Sequence, residues 1–293
     1  MNTHSIRMLV AKTTPYWVRR WIPLKISRHF YFTGVFEARL YGRKIVKLMH
    51  HGHQIENEIY WRGFDGSLEK KSMQIFAAIV KNLNPSIVWD IGANSGTYGI
   101  LAKALKPDCQ VIFFEPIPRA VECIHFNLKL NNYKAKVFEV ALGNYDGQGH
   151  IFFPKGQDFG VSVTLNRNTV PIDAESDEMS VQVCRAGTLI TQQGLKFPDL
   201  VKLDVETYEF EVLEGWGDQF PKDSIFLIEI LQEELALKLA PFFPIDMYTF
   251  WNIDDRNGNV RKVPKLMKSD FYNFLIVPNS KNSHIGNILV CAS

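Results

Sequence analysis

The sequence has few of the residues that build disulfide-stapled folds, zinc sites or membrane spans. Four cysteines lie far apart among 293 residues, with no Cys-x-x-Cys spacing. This pattern predicts neither a zinc site nor a disulfide framework. No apolar run approaches the roughly 18 residues that span a bilayer, and the N-terminal segment has no secretory pattern. We therefore expect a globular protein of a reducing cytoplasm.

Acidic residues are scarce at the start of the chain. Residues 1–53 contain ten Lys or Arg and one acid, Glu37, a net charge of +9, whereas the whole chain has +2. Aromatic residues mixed with Arg and Lys, as between Trp17 and Ile22, suit an anionic membrane surface or a phosphate-rich partner. The alternative is a solvated extension that packs a few aromatics on the body. We predict a basic aromatic extension over residues 1–55 and a separate domain over 56–293.

Short apolar runs alternate with helical segments through most of the second region. The runs that we interpret as buried strands are residues 87–89, 111–114, 137–142, 200–203 and 225–228. A helix is predicted before the first of them, from an N-cap at Ser67 to Asn84. Apolar strands separated by helices are typical of a parallel sheet that is covered on both faces. The sequence thus predicts the α/β class with a doubly wound, mostly parallel sheet.

The alternation breaks between Leu142 and Asp199. Turn-forming residues at 144–149 precede strand-like segments at 151–153, 161–163 and 181–183. This pattern predicts an antiparallel insertion over about residues 144–184, which would supply substrate contacts. The tail, around residues 248–251 and 274–277, is predicted to close the sheet with a hairpin.

Four of the buried strands end in an acid. These acids are Asp90, Glu115, Asp204 and Glu229. One acid after a strand is commonly a helix cap, but the ends of parallel strands meet at one edge of the sheet, where ligands bind. Four acids at that edge favour a cationic ligand, a hydroxyl-rich ligand or a metal, and they oppose phosphate.

A glycine-rich turn follows the first acid, with the sequence Asp90-Ile-Gly92-Ala-Asn94-Ser-Gly96-Thr-Tyr98-Gly99. Asn94 stands where a dinucleotide fingerprint has its middle glycine, and asparagine tolerates a left-handed backbone. An acid directly before the turn fits a nucleoside without a pyrophosphate better than NAD. Glu115, at the end of the second strand, has the position of a carboxylate that accepts both ribose hydroxyls.

Several segments together resemble the FkbM-type S-adenosylmethionine-dependent methyltransferases. They are the glycine turn, Phe114-Glu115-Pro116, residues 127–131, Ala141-Leu-Gly143, residues 199–215 and Ile228-Glu229. The resemblance spans roughly residues 55–231. One departure is that the family usually has glycine directly after Asp-Val-Glu, where this chain has Thr207.

The resemblance implies a Rossmann-like domain of the class I methyltransferase type that binds S-adenosylmethionine. The glycine turn would hold the amino-acid part, Glu115 the ribose, and Val140 and Ala141 would flank the adenine. The predicted cofactor-binding residues are Asp90, Gly92, Ala93, Asn94, Ser95, Gly96, Tyr98, Glu115, Pro116, Val140 and Ala141. The carboxylate rim agrees with this ligand, because its sulfonium is cationic and it has no phosphate.

Methyl transfer is an in-line displacement, so catalysis is mainly positioning. A hydroxyl acceptor must also lose its proton, to a carboxylate or histidine or while bound to a metal. Asp204, Glu206 and Glu229 are the predicted catalytic residues, with helix capping as the alternative role. Burial is expected to raise the pKa of Glu209. A divalent metal is left open.

We expect O-methylation of a hydroxyl on a sugar, a glycolipid or a natural product. The alternatives are an NAD-dependent oxidoreductase on the same fold and an inactive module that binds a cofactor or a membrane. The expected partners are a small-molecule or glycan acceptor and an anionic membrane, at its inner face, through residues 1–53. Nucleic acid is not expected, because the body is acidic. The oligomeric state is left open.

Two segments before the glycine turn have competing interpretations. Residues 58–63, which include Tyr60 and Trp61, are predicted either to cover the adenosine as a lid or to pack as ordinary core. His50, His51 and His53 are expected to be solvated rather than to ligate a metal.

Overall fold

The structure, a computed structural model, describes residues 9–10, 12–19, 21–27, 29–30, 33–40, 45–51, 54–64, 69–154, 165 and 176–291. Its strands are β1 (Gly34–Arg39), β2 (Ile45–His50), β3 (Ile87–Ile91), β4 (Gln110–Phe114), β5 (Lys136–Phe138), β6 (Ala141–Leu142), β7 (Gly147–Pro154), β8 (Ser176–Cys184), β9 (Leu200–Leu203), β10 (Ile225–Glu229), β11 (Tyr248–Asp254), β12 (Asn259–Val263) and β13 (Asn273–Pro278).

Its helices include α1 (Tyr16–Arg19), α2 (Leu24–Ser27), α3 (Gln54–Arg62), α4 (Lys70–Leu83), α5 (Thr97–Leu105), α6 (Pro118–Leu130), α7 (Ala186–Gln193), α8 (Glu209–Glu214), α9 (Glu233–Leu239) and α10 (Asn282–Cys291). Short 3-10 turns follow α8, α9 and β13. Within the described ranges, no helix combines the length and the apolar character needed to cross a bilayer.

The central sheet has eight strands in the order β12-β11-β13-β10-β9-β3-β4-β5. Strands β10, β9, β3, β4 and β5 run parallel, whereas β13, β11 and β12 add an antiparallel edge. This arrangement confirms the predicted α/β class and its doubly wound, mostly parallel sheet. The chain reverses its direction of winding between β3 and β9, so a crevice opens beyond their carboxyl ends.

Alternate side chains of the buried strands enter two separate layers, as the two-residue period of a strand requires. Val88 packs in one core cluster with α4, α5 and α10, whereas Trp89 packs in the other with α7, α8 and α9. The Trp89 ring stacks on Trp216, with centroids 4.5 Å apart. Both faces of the sheet are therefore covered, which explains the near-continuous apolar strands.

Helix α4 begins and ends with identifiable caps. At its first turn, the carboxylate of Asp255 accepts hydrogen bonds from the amide and the hydroxyl of Ser72, at 2.7 Å each. At its other end, Asn84 adopts a left-handed conformation with φ 54° and precedes Pro85, which agrees with the predicted end. The predicted N-cap, Ser67, lies outside the described residues.

The β1–β2 hairpin, although part of the predicted extension, packs on the domain. Phe36 and Leu48 belong to the same core cluster as Val88. The side chain of Asn131, the residue directly after α6, both accepts from the amide and donates to the carbonyl of Lys47, at 2.8 and 2.7 Å. The boundary predicted at residue 55 therefore divides residues that share one core.

The prediction that His50 is solvated is wrong. His50 is the inward-facing residue at the end of β2, in the same alternation as Val46 and Leu48, and its side chain is fully buried. Its Nε2 atom lies 3.2 Å from Oδ1 of Asn57. His51 is half-buried, and His53 lies outside the described residues.

The single strand predicted over residues 137–142 is divided between two sheets. Strand β5 pairs with β4 in the central sheet, whereas β6 pairs with β8 in a three-stranded sheet of order β6-β8-β7. The antiparallel pair β7–β8 is the predicted insertion. Its predicted middle strand, 161–163, lies outside the described residues. The division at residues 139–140 bends the chain around the crevice.

Candidate active site

A cleft opens at the carboxyl ends of β3, β4 and β9, where the topology places it. Its volume is about 1080 Å³, including open solvent at the mouth. The wall combines apolar side chains with a group of carboxylates and, among the described residues that line it, one cation, Lys202. A largely apolar hollow with a few converging polar groups is the usual form of a small-molecule site.

The glycine turn is fixed by its own leading acid and by the neighbouring strand. The carboxylate of Asp90, buried at the end of β3, accepts a hydrogen bond from the Gly99 amide at 2.8 Å. Gly92 has φ 71°, and a Cβ there would collide with the carbonyl oxygen of Asp204. The turn therefore needs glycine at position 92, because two strand ends meet there without room for a side chain.

Glu115 is held by backbone amides from both sides. Its Oε2 accepts from the Asn94 amide at 2.7 Å and its Oε1 from the Ile117 amide at 3.0 Å. Burial raises the pKa of this carboxyl to about 7, although the two amide hydrogen bonds oppose the shift. Burial likewise raises the pKa of Asp90 to about 7. Each carboxyl changes charge near neutral pH, where a bound cation or hydroxyl donor would favour its ionised form.

Asn94 supplies a polar atom whose geometry fits a ligand. It adopts a left-handed conformation with φ 50°, as the sequence predicts, and it lines the cleft. Its Oδ1 atom is buried and has no hydrogen-bond partner within the part of the chain that the structure describes. A buried acceptor without a donor is unfavourable by about 1–3 kcal/mol. The ammonium group of an amino-acid ligand would satisfy it.

Most of the predicted cofactor-binding residues line the cleft. They are Asp90, Gly92, Ala93, Asn94, Tyr98, Glu115, Pro116, Val140 and Ala141. Ser95 and Gly96 do not: the Ser95 hydroxyl lies 3.2 Å from that of Thr97, and a Cβ on Gly96 would meet Ile124 and Phe113 of the core. These two residues lie on the side of the turn that faces away from the cleft. The structure therefore does not support direct ligand contact for them.

The predicted catalytic acids lie on the β9–β10 side of the rim. Asp204 and Glu206 line the cleft. Glu229, at the end of β10, does not line the cleft, because β9 separates its strand from β3. Glu229 interacts electrostatically with both Asp204 and Glu206. The Asp204 carboxylate is 2.9 Å from the buried ammonium of Lys202. This side of the rim is therefore a network of charges.

Two of these acids have strongly raised pKa values. Burial, and then the charge of Asp204, raise the pKa of Glu206 to about 7. The same causes raise the pKa of Glu229 to about 9, which keeps this carboxyl mostly protonated at neutral pH. Glu206 therefore has the protonation behaviour of a general base that works near pH 7, whereas Glu229 does not.

The loop that carries Glu206 has an uncommon backbone. Glu206 and Thr207 are consecutive left-handed residues, with φ 53° and 75°. A β-branched residue rarely adopts this conformation. Glu209 lies beneath the loop, where its Oε1 accepts from the Val205 amide at 3.1 Å, and burial raises its pKa to about 8, in the predicted direction. The glycine that the family usually has at position 207 would relieve this geometry.

Sequence reasoning did not single out Lys202, Glu69 or Tyr208 as site residues, although all three line the cleft. The position of Lys202 inside the apolar run Leu200–Leu203 could have identified it. A lysine is rarely buried unless it is paired with an acid, so a lysine in a buried strand indicates an acidic partner. Glu69 accepts a hydrogen bond from the Tyr98 hydroxyl at 2.7 Å. Only the folded chain brings these two distant positions together.

The lid interpretation of residues 58–63 is wrong, and the packing alternative is right. Tyr60 and Trp61 are buried, and their rings meet edge to face with centroids 5.5 Å apart. The Trp61 indole donates to the Phe30 carbonyl at 2.8 Å, which holds the ring in the core. Helix α3 reaches the cleft instead through Ile55.

Among the residues that the structure describes, no group of three or more His, Cys, Asp or Glu side chains is arranged to hold a metal ion. The carboxylates of the β9–β10 side interact with the Lys202 ammonium.

Comparisons with known proteins agree with this geometry. The sequence is 29% identical to the methyltransferase sdnD of Sordaria araneosa over 46% of this chain and 62% of that protein. It is 26% identical to the 2-O-methyltransferase NoeI of Sinorhizobium fredii over 56% and 72%. It is 24% identical to the hexuronic acid methyltransferase AglP of Haloferax volcanii over 49% and 55%. The chain thus spans less than two thirds of two of these three relatives.

The family model described as the methyltransferase FkbM domain matches residues 90–247, which are more than half of the chain. This segment begins at the acid of the glycine turn and contains the cleft-lining part of β4, the insertion and the charged rim. The resemblance found in the motifs is thereby confirmed: the chain belongs to the methyltransferase FkbM family.

Proposed function

We propose that this protein transfers the methyl group of S-adenosylmethionine to an oxygen atom of a sugar-containing acceptor. The observation that carries the proposal is that one cleft contains two carboxylates in different surroundings. Glu115 is fixed by two backbone amides, as a group that accepts ribose hydroxyls would be, and Glu206 lies across the cleft with its pKa near 7.

The residues of the glycine turn fit the amino-acid and nucleoside parts of this ligand. Asn94 Oδ1 would accept from the ammonium group, Glu115 would accept from the ribose hydroxyls, and Val140 and Ala141 would flank the adenine. The bound molecule supplies an electrophilic methyl group on a positively charged sulfur. The buried carboxylates favour that positive charge, since a nearby cation stabilises their ionised form.

Glu206 is the group best placed to receive the proton of an acceptor hydroxyl. One oxygen of Asp204 is already occupied by the Lys202 ammonium, at 2.9 Å. Glu206 lines the same cleft, and its pKa of about 7 matches proton transfer at neutral pH. Asp204 would instead accept a hydrogen bond from the acceptor and orient it.

The acceptor class is inferred from the character of the wall and from the relatives. Carboxylates facing a cleft suit the many hydroxyl donors of a sugar. Two of the relatives are named for 2-O-methylation and for hexuronic acid methylation. The insertion would select the acceptor, because Ile151 of β7 and Leu165 line the cleft beside the glycine turn.

Calorimetry with S-adenosylmethionine, S-adenosylhomocysteine and NAD tests the cofactor. We expect both adenosyl ligands to bind and NAD not to bind; binding of NAD alone would support the oxidoreductase alternative. Transfer of labelled methyl groups to a panel of glycosides with free hydroxyl or carboxyl groups tests the acceptor. Cofactor binding without transfer to any fraction of a cell extract would support the inactive module instead.

We propose a second property, contact of the basic N-terminal arm (residues 1–53) with an anionic membrane at its inner face. Trp17 and Trp21 are 72% and 77% exposed, beside the half-exposed Ile26. The charge of +9 over residues 1–53 would attract anionic headgroups while these side chains enter the interface. The arm is tied to α3, since Arg62 donates to the Ile22 carbonyl at 2.8 Å, so a lipid-linked acceptor would be presented near the cleft.

The double variant Trp17→Ser/Trp21→Ser tests this contact better than removal of residues 1–53, because that deletion takes the hairpin out of the core. We expect sedimentation with phosphatidylglycerol vesicles to fall at least severalfold, with cofactor affinity unchanged. Tyr272→Ser, which removes an exposed aromatic elsewhere, is the matched control. Equal vesicle binding by the double variant and the wild type would contradict the proposal.

A further inference from the structure

Lys202 is a buried cation at the centre of the rim. It lies on β9, the middle of the sheet, in register with Asp90 on one side and Leu227 on the other. Its side chain is 3% exposed, and its Nζ atom is 2.9 Å from Oδ2 of Asp204. The ammonium also lies 5.2 Å from the centroid of the Tyr98 ring. An aromatic face and a carboxylate thus hold it from two sides.

Several carboxylates share this one ammonium. Glu69 and Glu229 interact with Lys202 electrostatically, in addition to Asp204. Glu69 is the residue just before α4, Asp204 directly follows β9, and Glu229 is the last residue of β10. Acids from three separate elements therefore act on this one ammonium by their charge, although the described residues form no group arranged to ligate a metal ion.

We propose that the Lys202 ammonium is the resident cation of this rim, which holds Asp204 in place by the charge that a divalent metal would otherwise supply. Lys202 is a positioning residue in this scheme, and the acceptor meets the Asp204 carboxylate rather than a metal ion. The inference deepens the proposed function and rests on it for the role of the acceptor. It predicts methyl transfer that needs no divalent metal.

The charge balance supports this role. Burial alone would lower the pKa of the ammonium, but the surrounding carboxylates outweigh burial and raise it above its ordinary value. Lys202 therefore keeps its charge at neutral pH. A neutral residue in its place would leave several acids facing one another, and they would either take up protons or bind a cation.

Binding of Mn²⁺, followed by electron paramagnetic resonance, tests the proposal on the full chain. We expect Lys202→Met to bind Mn²⁺ about tenfold or more tightly than the wild type, and Lys202→Arg to behave as the wild type. Adding Asp204→Asn to Lys202→Met should abolish the new site. Lys103→Met is the matched control, because Lys103 is also buried but donates to the carbonyls of Pro107 and Cys109 rather than to acids.

Two further measurements centre on the wild type: the first uses it alone, and the second compares it with Asp204→Asn. Methyl transfer should be unchanged by EDTA, and Mn²⁺ binding to the wild type should be the same as to Asp204→Asn. Loss of transfer in EDTA with restoration by Mg²⁺, wild-type Mn²⁺ binding that requires Asp204, or no Mn²⁺ binding by a folded Lys202→Met would each overturn the inference. Failure to bind S-adenosylhomocysteine in EDTA would count against the proposed function instead.

Discussion

The two halves of the carboxylate rim are built in different ways. On the β3–β4 half, Asp90 accepts a hydrogen bond from the Gly99 amide of α5, and Glu115 accepts hydrogen bonds from the amides of Asn94 and Ile117. On the β9–β10 half, the acids interact mainly with the charges of one another and of Lys202, and Glu206 stands on a left-handed backbone. Backbone amides fix a carboxylate in one geometry, whereas interacting charges let its proton affinity respond to a ligand. The first half suits binding, and the second suits proton transfer.

Glu206→Gln should have the largest effect and tests the second half. Because a general base contributes about 10²–10⁴-fold, kcat should fall by about that factor, while the affinity for S-adenosylhomocysteine should change by less than about threefold. Wild-type kcat should rise with pH through about 7, as Glu206 loses its proton, and the variant should lose this rise. The measurement is a pH series of labelled methyl transfer.

Glu211→Gln is the control for this substitution, since Glu211 is on α8 and does not line the cleft. It should leave kcat and its pH dependence unchanged. If Glu206→Gln instead weakens cofactor binding as much as it lowers kcat, the division of labour between the two halves is wrong.

Glu115→Ala should have the next largest effect and tests the first half. Loss of hydrogen bonds to an ionised carboxylate should weaken cofactor binding by about 1–3 kcal/mol, or roughly 5- to 150-fold in Kd. Titration calorimetry measures this change, and Glu122→Ala, at an exposed position on α6, serves as the control. Wild-type affinity in Glu115→Ala would remove the ribose role.

The pH dependence of cofactor affinity sharpens the same half. Ribose hydroxyls and a sulfonium both prefer ionised carboxylates, and the pKa values of Asp90 and Glu115 are about 7 in the ligand-free protein. The ionised fraction rises as pH rises from 6 to 8, so affinity should increase by about tenfold over that range. Glu115→Gln should reduce the slope. A flat profile for the wild type would show that neither group changes its proton occupancy on binding.

The sequence predicted the first half of the rim better than the second. The strand–turn–helix unit of β3 and α5 contains both Asp90 and Asn94, and Glu115 follows the adjacent strand β4. Local spacing therefore determines the positions of these residues. Lys202 and Glu69 interact only because the start of α4 and strand β9 are neighbours in the folded chain, and no short motif encodes that. The burial of His50 likewise depends on a long-range contact, because only the packing of the β1–β2 hairpin on the core decides which face of β2 is buried.

Thr207→Gly should have the smallest effect and tests the backbone of the second half. Glycine adopts φ 75° without strain, and the buried Thr207 hydroxyl has no hydrogen-bond partner among the described residues. Relief of both penalties should exceed the entropy that glycine adds to the unfolded chain, so the free energy of unfolding should rise by about 1 kcal/mol. Urea unfolding measures it, with Thr207→Ala as a control that removes the hydroxyl but keeps most of the strain. Because a freer loop also holds Glu206 less firmly, kcat should fall severalfold as stability rises. If Thr207→Gly is less stable than the wild type, the left-handed turn is not strained.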